Sequence, residues 1–156
     1  MEKPVSTSGK IIIILASLVG LFLALFATNN AINAYKAKAW PTTEGMVTYS
    51  EVEWNSKYVP KVVFSYNVGS DEFSSEKIRL TNFAHYKKKE DAAKVTNKYP
   101  VNGKVKVYYN PNKPNEAILD PGIKGEHIFM FLLGFIIFIA PLAGLIYSIR
   151  KAKADS

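Results

Sequence analysis

Few residues in this chain have the types and spacing that chemistry needs. There is no cysteine, which removes thiol nucleophiles, disulfides and thiolate metal sites together. The two histidines are His85 and His127. A serine–histidine pairing would need a built nucleophile, and no Gly-x-Ser-x-Gly turn is present. Glu51 and Glu53 share a strand face, and Asp71, Glu72 and Glu76 cluster near a turn. Neither spacing is diagnostic of a metal ion, and both read as solvated carboxylates. No glycine-rich phosphate loop follows a strand. No catalytic, metal or cofactor residue is therefore assigned, and the chain is read as a non-enzyme with no cofactor.

What remains is recognition chemistry. Lys87, Lys88 and Lys89 form a basic run that could touch phosphates, although such runs are commonly just solvated. Tyr49, Trp54, Tyr58, Phe64, Tyr66, Tyr108 and Tyr109 fall on or beside strand patterns. Most of them suit a small core and its cross-strand pairs. Tyr58 and Tyr108 are the candidates for exposed partner contacts, because Tyr108 falls opposite the Val105/Val107 face.

The elements that position these residues are bounded by two apolar stretches. Ile11–Ala27 is 17 residues without a charge, and Ile128–Ile149 is 22 residues whose polar side chains are Tyr147 and Ser148. As helices they measure about 25 and 33 Å, against a hydrocarbon core of about 30 Å. The boundaries are a disordered tail (1–10), a first transmembrane helix (11–34), a β-rich domain (40–122), a second transmembrane helix (127–149) and a basic tail (150–156). The first span reads as an uncleaved anchor. It is longer than a signal core, and Ala37-Lys38-Ala39 lies some ten residues beyond it. Ala16, Gly20, Ala24 and Thr28 recur every four residues as a small-residue stripe. It suits a homodimer seam or, preferably, packing against the second span.

Between the spans, strand signals dominate. Strands are predicted over Gly45–Trp54, Val59–Val68, Glu72–Leu80, Lys104–Tyr109 and Glu116–Leu119. A register change is expected near Glu76–Lys77. A helix is expected over Phe83–Lys98, capped by Thr81 or Asn82, with His85 in its first turn. Pro141 is expected to kink the second span. The fold class is an α+β membrane protein: two transmembrane helices flanking a small antiparallel domain of about five strands. That domain is an open barrel or curled sheet with one helix.

Trp40-Pro41-Thr42-Thr43-Glu44-Gly45-Met46-Val47 resembles the W-P-x-x-x-G-x-V opening of a widespread, mostly bacterial membrane-protein family known as a domain of unknown function. Tyr58–Val62 with Phe64-Ser65-Tyr66 resembles that family's next strand. Tyr99, Pro100 and Gly103 resemble its Y-P-x-G turn with one residue inserted. Val105 and Val107 with Tyr109, Asn110, Pro111 and Pro114 resemble its V-x-V-x-Y-x-P-x-x-P run, and Ala117–Gly122 its close. The resemblance implies a membrane-anchored β module in which these residues shape turns and strand ends. It implies no catalytic residue.

Net charge is +7, divided as +3 in the tails and +4 over 35–126. The tails carry Lys3, Lys10, Arg150, Lys151 and Lys153, so the positive-inside bias favours an inner-membrane protein with both termini cytoplasmic and the domain outside. Neither apolar stretch holds an ionisable residue, which disfavours a transporter. The leading expectation is an extracytoplasmic module that contacts the bilayer and binds another envelope protein. An immunity or accessory protein is a specific version of it. The alternatives are an enzyme or enzyme subunit acting on lipid or cell-wall material through His85, and a cytoplasmic-facing basic module. Nucleic acid is not the expected partner.

Overall fold

A computed structural model describes residues 6–81 and 85–154. Helix α1 (Thr7–Lys36) runs through a 3-10 turn (Ala37–Ala39) into strands β1 (Thr42–Trp54), β2 (Tyr58–Val68) and β3 (Asp71–Ser75). Helix α2 (Lys89–Thr96), strands β4 (Lys104–Asn110) and β5 (Lys113–Ile118), and helix α3 (Gly125–Ala154) follow. Two compact units result: Met1–Ala31 with Ile123–Ser156, and Ile32–Gly122.

The first unit holds the apolar helices. Windows of mean hydropathy 2.8 and 2.6 make both long and apolar enough to cross a membrane. Only 17% and 6% of those windows is buried, far less than a soluble core helix requires. The stripe on α1 has a neighbour within the chain. A Cβ on Gly20 would run into the Phe138 backbone nitrogen, and one on Gly134 would come 2.6 Å from that of Ala24. Backbones this close require glycine on both helices. Ser17 and Thr28 donate to the Ile13 and Ala24 carbonyls, so both hydroxyls are satisfied within α1. His127, buried near the start of α3, accepts the Lys124 N–H on Nδ1 at 3.1 Å. Pro141 lies inside α3, which continues to Ala154.

The second unit is a five-stranded antiparallel sheet in the order β3-β2-β1-β4-β5. Alternation in β2 sends Val62, Phe64 and Tyr66 to one face. They form the core with Val47, Ile78, Val107, Ala117 and Leu119. The sheet curls but does not close. Ser75 donates its hydroxyl to the Ala117 carbonyl at 2.9 Å, and Leu119 and Asp120 both donate backbone N–H groups to the Ile78 carbonyl. Arg79 Nε meets Asp120 Oδ2 at 3.0 Å beside them. Two long apolar helices thus flank a small antiparallel sheet with one helix, as the fold class required.

Local departures have identifiable causes. Helix α2 begins at Lys89, not Phe83, because Tyr86 is extended and exchanges both backbone hydrogen bonds with Tyr58. Phe83 and the proposed cap Asn82 lie outside the described residues; Thr81 precedes the helix. His85 is an exposed loop residue rather than part of a first helical turn. Strand β3 stops at Ser75, so no register change occurs at Glu76–Lys77. The irregularity sits instead in β1, between Val47 and Tyr49. There the Val47 N–H and C=O pair with the Gly103 carbonyl and the Asn102 N–H. Strand β5 starts earlier than expected and contains Pro114, whose missing N–H an edge strand tolerates because its open side has no ladder partner to lose.

Candidate functional site

Strand β1 pairs with β4 only from Thr42 to Met46, whereas its pairing with β2 continues to Trp54↔Tyr58. The far half of the hairpin therefore extends past the edge of β4. Its connection is Asn55-Ser56-Lys57, with Ser56 at φ 57° and the Asn55 N–H donating to the Lys57 carbonyl at 2.9 Å. Trp54 and Tyr58 close the hairpin with ring centroids 4.7 Å apart at 59°. Tyr58 is half-buried by this contact, but Trp54 remains 65% exposed.

The Tyr58–Tyr86 bridge brings a distant segment to this tip. Tyr58 N–H donates to the Tyr86 carbonyl at 3.0 Å, and Tyr86 N–H returns to the Tyr58 carbonyl at 2.9 Å. Lys87, Lys88 and Lys89 follow Tyr86 directly, and all three are exposed. Lys57 precedes Tyr58 and is exposed as well. The lysine run and Tyr58, separate candidates in sequence, thus belong to one basic aromatic surface.

Trp54 is one of the strand aromatics that stay out of the core. Its place just before the polar Asn55-Ser56-Lys57 turn was the available signal. Tyr108 does not join this surface: it pairs with Thr42 at the opposite end of β1. It is half-buried, with Lys106 Nζ 5.2 Å from its ring centroid. Nearby, Thr42, Thr43, Glu44, Lys104, Val105 and Lys106 line an open cleft of about 420 Å3, with an exposed Lys104–Glu44 pair of 2.9 Å.

The carboxylates are otherwise engaged or dispersed. Tyr49 Oη donates within 3.2 Å of Glu51 and 3.4 Å of Glu53, and Lys61 pairs with Glu53 at 3.1 Å. Partial desolvation, then the Glu51 charge, raises the Tyr49 pKa above the ordinary phenol value. Among the described residues, no three His, Asp or Glu side chains gather to hold a metal ion.

The motif residues hold turns and strand contacts. Trp40 is half-buried, and Pro41 accepts the Tyr109 N–H at 3.1 Å. Gly45 is buried where a Cβ would come 2.7 Å from both the Ser65 carbonyl oxygen and Val107 Cγ2. Pro100 accepts the Gly103 N–H, and the Tyr99 and Tyr109 rings pack against the core. Asn110 accepts the Asn112 N–H and donates to Glu116, which shapes the Pro111 turn before Pro114.

A family described as "Domain of unknown function (DUF3592)" matches residues 43–124. The chain belongs to this family. No curated protein and no solved structure matches it. The DUF3592 segment covers all five strands and α2 apart from the first residue of β1, and stops one residue short of α3. Trp54, Tyr58 and the lysines all lie inside it.

Proposed function

We propose that this DUF3592 chain is a two-span inner-membrane protein whose β domain faces away from the cytoplasm and binds another envelope protein. The Trp54–Tyr58 hairpin tip and the Lys87–Lys89 run form the contact. The supporting observation is the Tyr58–Tyr86 bridge, which sets a basic cluster beside an exposed tryptophan. Tryptophan and tyrosine are the side chains that most often dominate binding energy, because their large rings desolvate at low entropic cost. Lysine rarely serves at an interface core, so a partner should present carboxylates at the rim. The role is binding rather than catalysis, and an immunity or accessory role would be one instance of it.

Photo-crosslinking in cells tests this. A benzophenone amino acid replaces Trp54, or Lys88, in the full chain. Both positions are expected to capture the same polypeptide. Lys87→Glu with Lys88→Glu and Lys89→Glu should abolish that adduct, whereas a probe at Lys113 should not form it. Adducts to lipid alone, or equal capture at Lys113, would refute the assignment.

A further inference from the structure

The end of α1 and the following 3-10 turn build a second site, independent of the hairpin tip. Tyr35, Lys36, Lys38, Ala39 and Trp40 line a cleft of about 510 Å3. Tyr35 is 63% exposed. Lys38 Nζ stands 5.8 Å from its ring centroid. The Lys38 stem passes Gly122, where an added Cβ would come 3.3 Å from Lys38 Cδ. Gly122 itself has φ +107° and donates its N–H to the Ala34 carbonyl at 2.9 Å. Among the described residues, neither Lys36 nor Lys38 meets a carboxylate.

Two lysines at a helix C-terminus could simply answer the negative end of its dipole. That accounts for the charge but not for the cleft or the outward ring. Depth adds a constraint. From Ile11 to Tyr35 the helix rises about 36 Å, while a bilayer with its headgroups is about 40–45 Å thick. A span anchored at Lys10 therefore sets Tyr35–Trp40 at the far headgroup level. Amphipathic rings and lysines are stable there.

We infer that Tyr35, Lys36, Lys38 and Trp40 form a binding site for the headgroup of an anionic phospholipid. The two ammonium groups take the phosphate, and the Tyr35 and Trp40 rings take the glycerol and the first methylenes. A free phosphate ion shares the charge chemistry but offers nothing to the rings. The site takes its ligand whichever leaflet it faces.

The test uses the full chain in nanodiscs of mixed phosphatidylglycerol and phosphatidylcholine, with retained lipids weighed by native mass spectrometry. Phosphatidylglycerol is expected to be retained preferentially over phosphatidylcholine. Preference should fall roughly fivefold for each lysine neutralised, the equivalent of about 1 kcal/mol per juxtamembrane charge, in Lys36→Gln and Lys38→Gln. Lys36→Arg with Lys38→Arg should retain it, and Lys98→Gln with Lys113→Gln, two exposed lysines outside both sites, should leave it unchanged. Equal retention of both lipids, equal loss in the Lys98/Lys113 control, or displacement by millimolar inorganic phosphate would each overturn the assignment.

Discussion

Tyr66 serves two distant parts of the domain at once. Its ring packs in the core between Phe64 and Phe73. Its hydroxyl donates to the Pro114 carbonyl at 2.6 Å, on a strand that is not its neighbour in the sheet. Tyr66→Phe keeps the ring and removes the bond, so it should cost about 1 kcal/mol in denaturant titration of the full chain in detergent. Burial also raises the Tyr66 pKa above the ordinary phenol value. Tyr99 shifts the same way, through burial first and then Asp120, with Arg79 opposing. A phenol whose folded pKa is raised stays protonated when the unfolded chain has already ionised. The stabilisation is full below pH 10 and is lost as pH rises through the folded value. Thermal unfolding should therefore move to lower temperature above pH 10, less steeply in Tyr66→Phe and Tyr99→Phe. The parity of β2 revealed that Tyr66 faces inward. Its partner Pro114, 48 residues later, was not legible, because that contact depends on how the sheet curls.

Among the elements, β1 carries the most constraints. It pairs on both sides over Gly45 and Met46, then bulges after Val47 and continues as the hairpin arm. Gly45 has backbone on one side and the Val107 side chain on the other, each 2.7 Å from an added Cβ. Gly45→Ala should cost about 1–3 kcal/mol through overpacking. The same change at Gly69 meets no atom within 4 Å but stands at φ +63°. Its cost should be about 1–2 kcal/mol, from left-handed backbone alone. Paired denaturant curves of the full chain would separate these mechanisms: adding Val107→Ala should partly relieve Gly45→Ala and do nothing for Gly69→Ala. Helix α2 teaches the complementary lesson. Ala92 and Thr96 are buried and Val95 half-buried along one face, yet the helix begins at Lys89 rather than at Phe83. The Tyr58–Tyr86 exchange satisfies backbone groups that a longer helix would have used.

At the scale of the whole molecule, the proposed topology turns on which side of a membrane the sheet would face. The tails hold more Lys and Arg close to the spans than the domain's ends do, which favours cytoplasmic termini. Because the chain has no cysteine, single thiols report cleanly. Lys88→Cys should label in intact cells with a membrane-impermeant reagent, and Ser156→Cys should label only after permeabilisation. The reverse pattern would discard the envelope partner and leave the basic surface facing cytoplasmic ligands.

The sequence by itself determined the two apolar helices, the five strands, the inward face of β2 and the family of the central segment. Each is written in local order: uninterrupted hydropathy, a period of two, or motif residues at fixed spacing. Tertiary structure alone decided that Gly20 and Gly134 meet across the helices, where helix α2 begins, and that Trp54 stays exposed. It also decided that Tyr58 and the lysines share one surface while Tyr108 lies elsewhere. These depend on backbone groups far apart in the chain finding each other, and such pairings compete on equal terms until the sheet has curled and only one set can be satisfied.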